Sequence, residues 1–165
     1  MINQAVVRDG KPYPPYGVDE LKLVAGVVEA LRDLKQAGFL LIVATNQPDI
    51  ARGTQSRASV DVIHQALREA LPLDDFFVCP HDDADHCDCR KPRPGLLLRA
   101  AEKYEIDMSR SFMVGDRWRD VDAGASAGCA TVWIDYGYRE KLFAAEPSAT
   151  VDSIRAAADW ILSHA

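Results

Sequence analysis

Six apolar residues in a row, 39–44 (FLLIVA), are the feature that most restricts how this chain can fold. A strand with one wet face alternates apolar and polar residues, so an unbroken run reads as a strand covered on both faces. Such strands belong to parallel sheets sandwiched between helices. The flanking sequence agrees. Val27, Val28, Leu31 and Leu34 recur at helical spacing within residues 24–37, and Gly38 follows as a stop signal. Helices are expected over residues 56–70, 94–103, 120–127 (closed by Gly128) and 151–163. Further short strands are expected over 76–78, 111–114 and 131–134. Strand and helix in alternation predict an α/β fold with a parallel sheet. The 165 residues suit one domain, 1–165, with one sizeable core.

Charge removes some functions. The formal net charge is −6, whereas a general nucleic-acid binder carries a basic face. No apolar run reaches the length of a membrane span. A cytoplasmic monomer acting on a small molecule is expected, without nucleic-acid or membrane partners.

In open parallel sheets, ligands bind beyond the carboxyl ends of the strands. Polar, reactive residues should therefore follow the apolar runs, and they do. Thr45-Asn46-Gln47 follows residues 39–44; a hydroxyl, an amide and nearby N–H groups there can hold phosphate oxygens or merely cap a helix. Gly115-Asp116 follows residues 111–114. A carboxylate at that point suits Mg²⁺, which takes oxygen ligands and retains waters. Asp120 and Asp122 follow closely, either to assist the metal or to cap the next helix. Arg90-Lys91-Pro92-Arg93-Pro94-Gly95 holds its cations in a stiff loop, where lysine neutralises a phosphoryl group as a point charge and arginine grips one in a fork.

Three of the four cysteines fall within residues 79–89. Cys79, His81, Cys87 and Cys89 form two close pairs of soft ligands, which suits tetrahedral Zn²⁺ in a closed, structural site. His86 is a competing ligand. The zinc would fasten a loop poor in apolar anchors. Cys129, in apolar surroundings, reads as a core residue.

These stretches, in this order, resemble the haloacid dehalogenase phosphatases, in the zinc-loop branch that acts on sugar bisphosphates and histidinol phosphate. TNQPDIARG (45–53), CPH…CDCRKPRPG (79–95) and MVGDRWRDVDAG (113–124) carry the likeness. The resemblance implies a Rossmann-like three-layer α/β/α fold with little or no cap domain. It implies a Mg²⁺-dependent phosphomonoesterase working through an aspartyl-phosphate, with a heptose 1,7-bisphosphate the expected substrate and histidinol phosphate the alternative. It implies that Thr45 and Lys91 stabilise the transferring phosphoryl group and that Asn46, Gln47, Arg90 and Arg117 contact substrate. Asp116 would bind Mg²⁺, and Cys79, His81, Cys87 and Cys89 would bind Zn²⁺.

The family's first motif, a buried strand ending in Asp-X-Asp-Gly, has no full copy here. One reading takes Val7-Arg8-Asp9-Gly10 as a degenerate copy, with Asp9 as the surviving acid and the protein as a phosphate-ligand or partner binder. The other takes Met1-Ile2-Asn3 as the residues that follow the motif, so that the chain as written lacks its first strand and its nucleophile. On that reading Arg8-Asp9-Gly10-Lys11-Pro12 is a hairpin, which the turn chemistry around Gly10 favours.

Overall fold

The computed structural model describes residues 1–8, 11–138 and 143–165. The chain opens with a short antiparallel pair, β1 (Val6–Arg8) and β2 (Lys11–Tyr13), in which Val6 faces Tyr13 and Arg8 faces Lys11. Val7-Arg8 thus lies in a hairpin strand rather than at the end of a parallel one. Asp9 and Gly10, between the two strands, fall outside the described residues.

The remainder alternates as the apolar runs require. α1 (Val27–Gln36) leads to β3 (Ile42–Asn46), the short α2 (Pro48–Ala51), α3 (Arg57–Ala70) and β4 (Asp75–Cys79). After the cysteine-rich loop come α4 (Gly95–Tyr104), β5 (Phe112–Gly115), α5 (Trp118–Ala127), β6 (Ala130–Ile134), β7 (Ala149–Val151) and α6 (Ile154–His164). Gly38 and Gly128 follow α1 and α5 with φ of +92° and +87°, left-handed conformations that end a helix without the strain a side chain would add.

The strands run parallel but in two blocks. β3 pairs with β4, Ile42 opposite Asp75, and β6 lies between β5 and β7. Among the described residues β3 and β5 each keep one edge without a strand partner. The cost is visible in their burial. Every residue of β3 is half-buried, whereas Thr131, Val132 and Ile134 of β6 are buried. Residues 39–44 were expected to be covered on both faces as a strand. The strand instead begins at Ile42, and it is only partly covered because one edge is open. Phe39 turns aside to pack edge-on against Phe112 of β5.

α1 and α6 pack together on one side, burying Val27, Ala30, Leu31 and Leu34 against Ile154, Ala157, Ala158 and Ile161. α4 and α5 pack together on the other, which completes three layers. Each fully buried Leu, Ile or Val adds roughly 1.5–3 kcal/mol relative to exposure. A second, smaller cluster joins Cys79, Cys89 and Leu96 with Ala44 and Phe77, so the cysteine-rich loop does have apolar anchors, contrary to the sequence expectation. No helix among the described residues is long and apolar enough to cross a membrane.

His64 of α3 is buried and stacked on Phe76, 4.5 Å between centroids, and burial is the main cause of its lowered pKa. Nearby Arg57 and Arg68 act in the same direction, and Asp61 opposes them. A neutral imidazole is stable in the folded state, while the unfolded chain takes up its proton near pH 6.5. The contribution to stability is therefore complete above that pH and declines as pH falls below it. Denaturant unfolding of His64→Leu between pH 7.5 and 5 is expected to show a shallower pH dependence than the parent. Equal slopes would remove His64 as the cause.

Candidate active site and metal loop

All the expected phosphate-handling residues stand at the carboxyl ends of parallel strands or in the loop beside them. Thr45 and Asn46 end β3, and Gln47 opens α2. Asp116 follows β5, and Arg117 is the residue that starts α5. Arg90 and Lys91 precede α4. Lys91 is brought to β3 by two backbone contacts: the Asn46 amide donates to the Lys91 carbonyl and accepts from the Lys91 N–H, both at 3.0 Å. Asn46, expected to line the substrate site, thus has its amide committed to holding Lys91 in place.

The Lys91 ammonium is buried. It donates to the Ala44 carbonyl and to Asp120 Oδ1, each at 2.6 Å, with the two side chains only 10% and 9% exposed. An ammonium has three protons, so one remains for a phosphoryl oxygen. Asp120 has a second task, accepting the Arg117 N–H at 3.1 Å to cap α5. Of its two expected roles the helix cap is present, and its contact with Lys91 is one the sequence did not suggest. Gly115 makes room for this arrangement, because a Cβ there would lie 2.1 Å from Asp120 Cβ.

The Thr45 hydroxyl accepts from Gln47 Nε2 at 3.3 Å, which leaves its own proton free to donate. The other end of the Gln47 amide, Oε1, is buried without a hydrogen-bond partner among the described residues. A buried amide oxygen in that state is poised for a ligand hydroxyl or N–H. Asp116, 17% exposed, has Oδ2 3.5 Å from the Met1 amino nitrogen. Asp122 does not join this group. It accepts the Ala144 and Ala145 N–H groups at 2.8 and 3.2 Å and anchors the segment before β7.

Cys79, His81, Cys87 and Cys89 converge, with all four ligand atoms within 4.8 Å of one another. The close separations are 3.7 Å (Cys79 Sγ to Cys87 Sγ), 3.5 Å (Cys87 to Cys89), 3.4 Å (Cys89 to His81 Nδ1) and 3.7 Å (His81 to Cys79). Tetrahedral Zn–S and Zn–N bonds imply edges of about 3.5–3.8 Å, so the donor set fits Zn²⁺. His86 stands outside the set, ending a turn of 3-10 helix (Asp83–Asp85) with φ of +48°. Burial pushes the Cys79 thiol up to about 12. At Cys87, burial is outweighed by hydrogen bonds from the Arg90 N–H and the neighbouring thiols, which bring it down to about 7. Cys129 is raised to about 11 by burial alone, as an unreactive thiol would be.

Charged side chains tie this loop to the rest. Arg52 forks onto Asp82 at 2.6 and 2.9 Å. Asp83 accepts from Arg90 Nε at 2.8 Å and from Arg119 Nη1 at 3.0 Å. Hydrogen bonding from Arg90 is the chief reason the Asp83 carboxyl is held down at about 2. Sequence reasoning missed Asp83 and Arg119. They lie 36 residues apart, and neither falls in a recognisable pattern. The pairing of Asp120 with Lys91 carried a fainter signal, since Asp120 follows Asp116 by one helical turn.

A parallel α/β fold with polar and charged residues gathered at its strand ends fits a class that sequence comparison identifies. A family profile of haloacid dehalogenase-like hydrolases matches residues 9–128, and the chain belongs to that family. Within it, the chain is 34% identical over 172 residues to the D-glycero-beta-D-manno-heptose-1,7-bisphosphate 7-phosphatase of Escherichia coli K12, covering 94% of this chain and 85% of that protein. The Bordetella bronchiseptica protein of the same name is 35% identical over 156 residues, covering 89% and 87%. A crystal structure of D,D-heptose 1,7-bisphosphate phosphatase from B. bronchiseptica, complexed with magnesium and phosphate, superimposes with a TM-score of 0.85 at 32% identity. The match covers all of this chain and 94% of that one.

Proposed function

We propose that this protein is a Mg²⁺-dependent phosphatase of a small sugar bisphosphate, with D-glycero-β-D-manno-heptose 1,7-bisphosphate the preferred substrate over histidinol phosphate. The observation that carries the reading is the Lys91 ammonium held between the Ala44 carbonyl of β3 and Asp120 in the first turn after β5, with one Lys91 proton and the Thr45 proton available to phosphoryl oxygens. Relatives of known name, similar over most of their length, support the substrate class.

In this scheme Lys91 and Thr45 neutralise and orient the transferring phosphoryl group, and Asp120 keeps the lysine aimed. Gln47 Oε1 and Arg117 face the rest of the substrate, and Arg90 grips a phosphate by its fork. Asp116 would hold Mg²⁺ through one carboxylate, waters and substrate oxygens completing the shell, and the ion would supply charge stabilisation in the transition state. Zn²⁺ in the Cys79/His81/Cys87/Cys89 set would be structural, having no open position. Mg²⁺-dependent phosphate release from heptose 1,7-bisphosphate, well above that from histidinol phosphate, is the expected result for a form of the protein that carries a full Asp-X-Asp-Gly motif. The reverse preference would move the protein to the alternative substrate.

A second reading, a phosphate-ligand binder without turnover, has one observation behind it. Among the described residues, the carboxylates that follow β5 are engaged: Asp120 with Lys91 and the α5 cap, and Asp116 with the Met1 amino group. Aspartyl-phosphate chemistry needs a further carboxylate. Micromolar binding of the bisphosphate with no phosphate release would decide for the binder.

A further inference from the structure

Beside the strand-end site lies a pocket of about 230 Å³ whose wall includes Asp83, Arg90, Arg93 and Arg119. Its guanidinium groups come from two elements. Arg90 belongs to the loop between the zinc ligands and α4, and Arg119 to the first turn of α5, immediately after Asp116 and Arg117. The Asp83 carboxylate joins them. It receives Arg90 through Nε at 2.8 Å and Nη2 at 3.5 Å, and Arg119 through Nη1 at 3.0 Å and Nη2 at 3.3 Å.

Each arginine has a second tether. Arg90 donates to the His81 carbonyl at 3.2 Å and Arg119 to the Lys91 carbonyl at 3.1 Å. The Arg90 side chain is 11% exposed and that of Arg119 30%, while the carboxylate that holds them is 60% exposed. An exposed ion pair contributes little to stability. What this one does is geometric. Two guanidinium groups repel each other at short range, and the shared carboxylate fixes both within reach of one pocket. With the forks held on Asp83, the remaining guanidinium N–H groups sit at a fixed separation and can donate singly to phosphate oxygens.

Building on the proposed bisphosphate substrate, we propose that Asp83 is a positioning residue that holds Arg90 and Arg119 as a paired clamp for the phosphate that does not react. Arg119 becomes a binding residue for that group, and the zinc loop becomes part of substrate selection through Asp83. The tether of Arg119 to the Lys91 carbonyl links the clamp to the lysine at the reacting end.

Isothermal titration of the full, zinc-loaded chain with Mg²⁺ tests this, using inorganic phosphate and heptose 1,7-bisphosphate as probes. Asp83→Ala is expected to weaken bisphosphate binding about tenfold, the loss of one charge-assisted contact, while inorganic phosphate and zinc content stay unchanged. Arg119→Ala, which removes no residue of the zinc loop, should give the same loss, and the double variant should lose little more than either alone. Unchanged or tighter bisphosphate binding in both variants overturns the clamp, as does loss of zinc from Asp83→Ala with wild-type affinity in Arg119→Ala. A parent protein with no preference for the bisphosphate over inorganic phosphate removes the substrate reading and the clamp with it. A preference that survives both substitutions removes the clamp alone.

Discussion

Lys91→Met is expected to destabilise the protein by about 3 kcal/mol and to abolish phosphate release. The stability loss follows from what is left behind. Asp120 is 9% exposed, and without the ammonium its charge is buried unpaired, a situation that costs about 3–5 kcal/mol. The Ala44 carbonyl loses its partner as well. Adding Asp120→Asn should recover part of the loss, because asparagine keeps the cap on the Arg117 N–H and carries no charge. Urea unfolding of the parent, both single variants and the double variant reads the coupling directly. Losses that simply add would show that the pair is not coupled and that Lys91 is held by Asn46 and Ala44 alone.

The zinc loop should respond as strongly. Purified protein is expected to hold about one equivalent of zinc, and Cys87→Ala to hold close to none. Cys87 is the choice because it is half-buried, so the change removes a thiolate and little packing. A site filled at about a thousand times its Kd adds about 4 kcal/mol, equivalent to a fall in Tm of about 10 °C on its loss. A chelator should produce the same fall in the parent and none in the variant. Cys129→Ala, outside the ligand set, should retain its zinc. Full zinc content in Cys87→Ala would mean that His86 or another group serves as the fourth ligand.

Much of this was legible in the sequence because the signals are local. The apolar period gave α1, α3, α4 and α5 to within a few residues, and Gly38 and Gly128 marked two of their ends. The Cys/His cluster was legible because soft residues crowd into eleven positions, and the strand-end rule pointed to Thr45 and Asp116, while Lys91 was singled out by its stiff cationic loop. What escaped depends on distance in the chain. β7 is three residues long and has no pattern of its own; it forms because β6 offers an edge. The boundaries of β3 moved toward Asn46 because pairing with β4, rather than hydrophobicity, decides where a strand ends. Asn46 was read as a substrate contact because nothing in the sequence places its amide against Lys91, 45 residues away. Asp83 and Arg119 escaped for the same reason.

The open edge of β3 has a consequence for how this protein behaves in concentrated solution. Unpaired backbone donors and acceptors on an apolar strand are a template for any extended chain, including another copy. Natural sheets guard such edges with charge, and here the guard is Lys91, whose ammonium sits on the Ala44 carbonyl. The same side chain proposed to meet the phosphoryl group would therefore also disfavour pairing of β3 with a neighbour. Neutralising it should leave a protein that clouds on warming at concentrations where the parent stays clear.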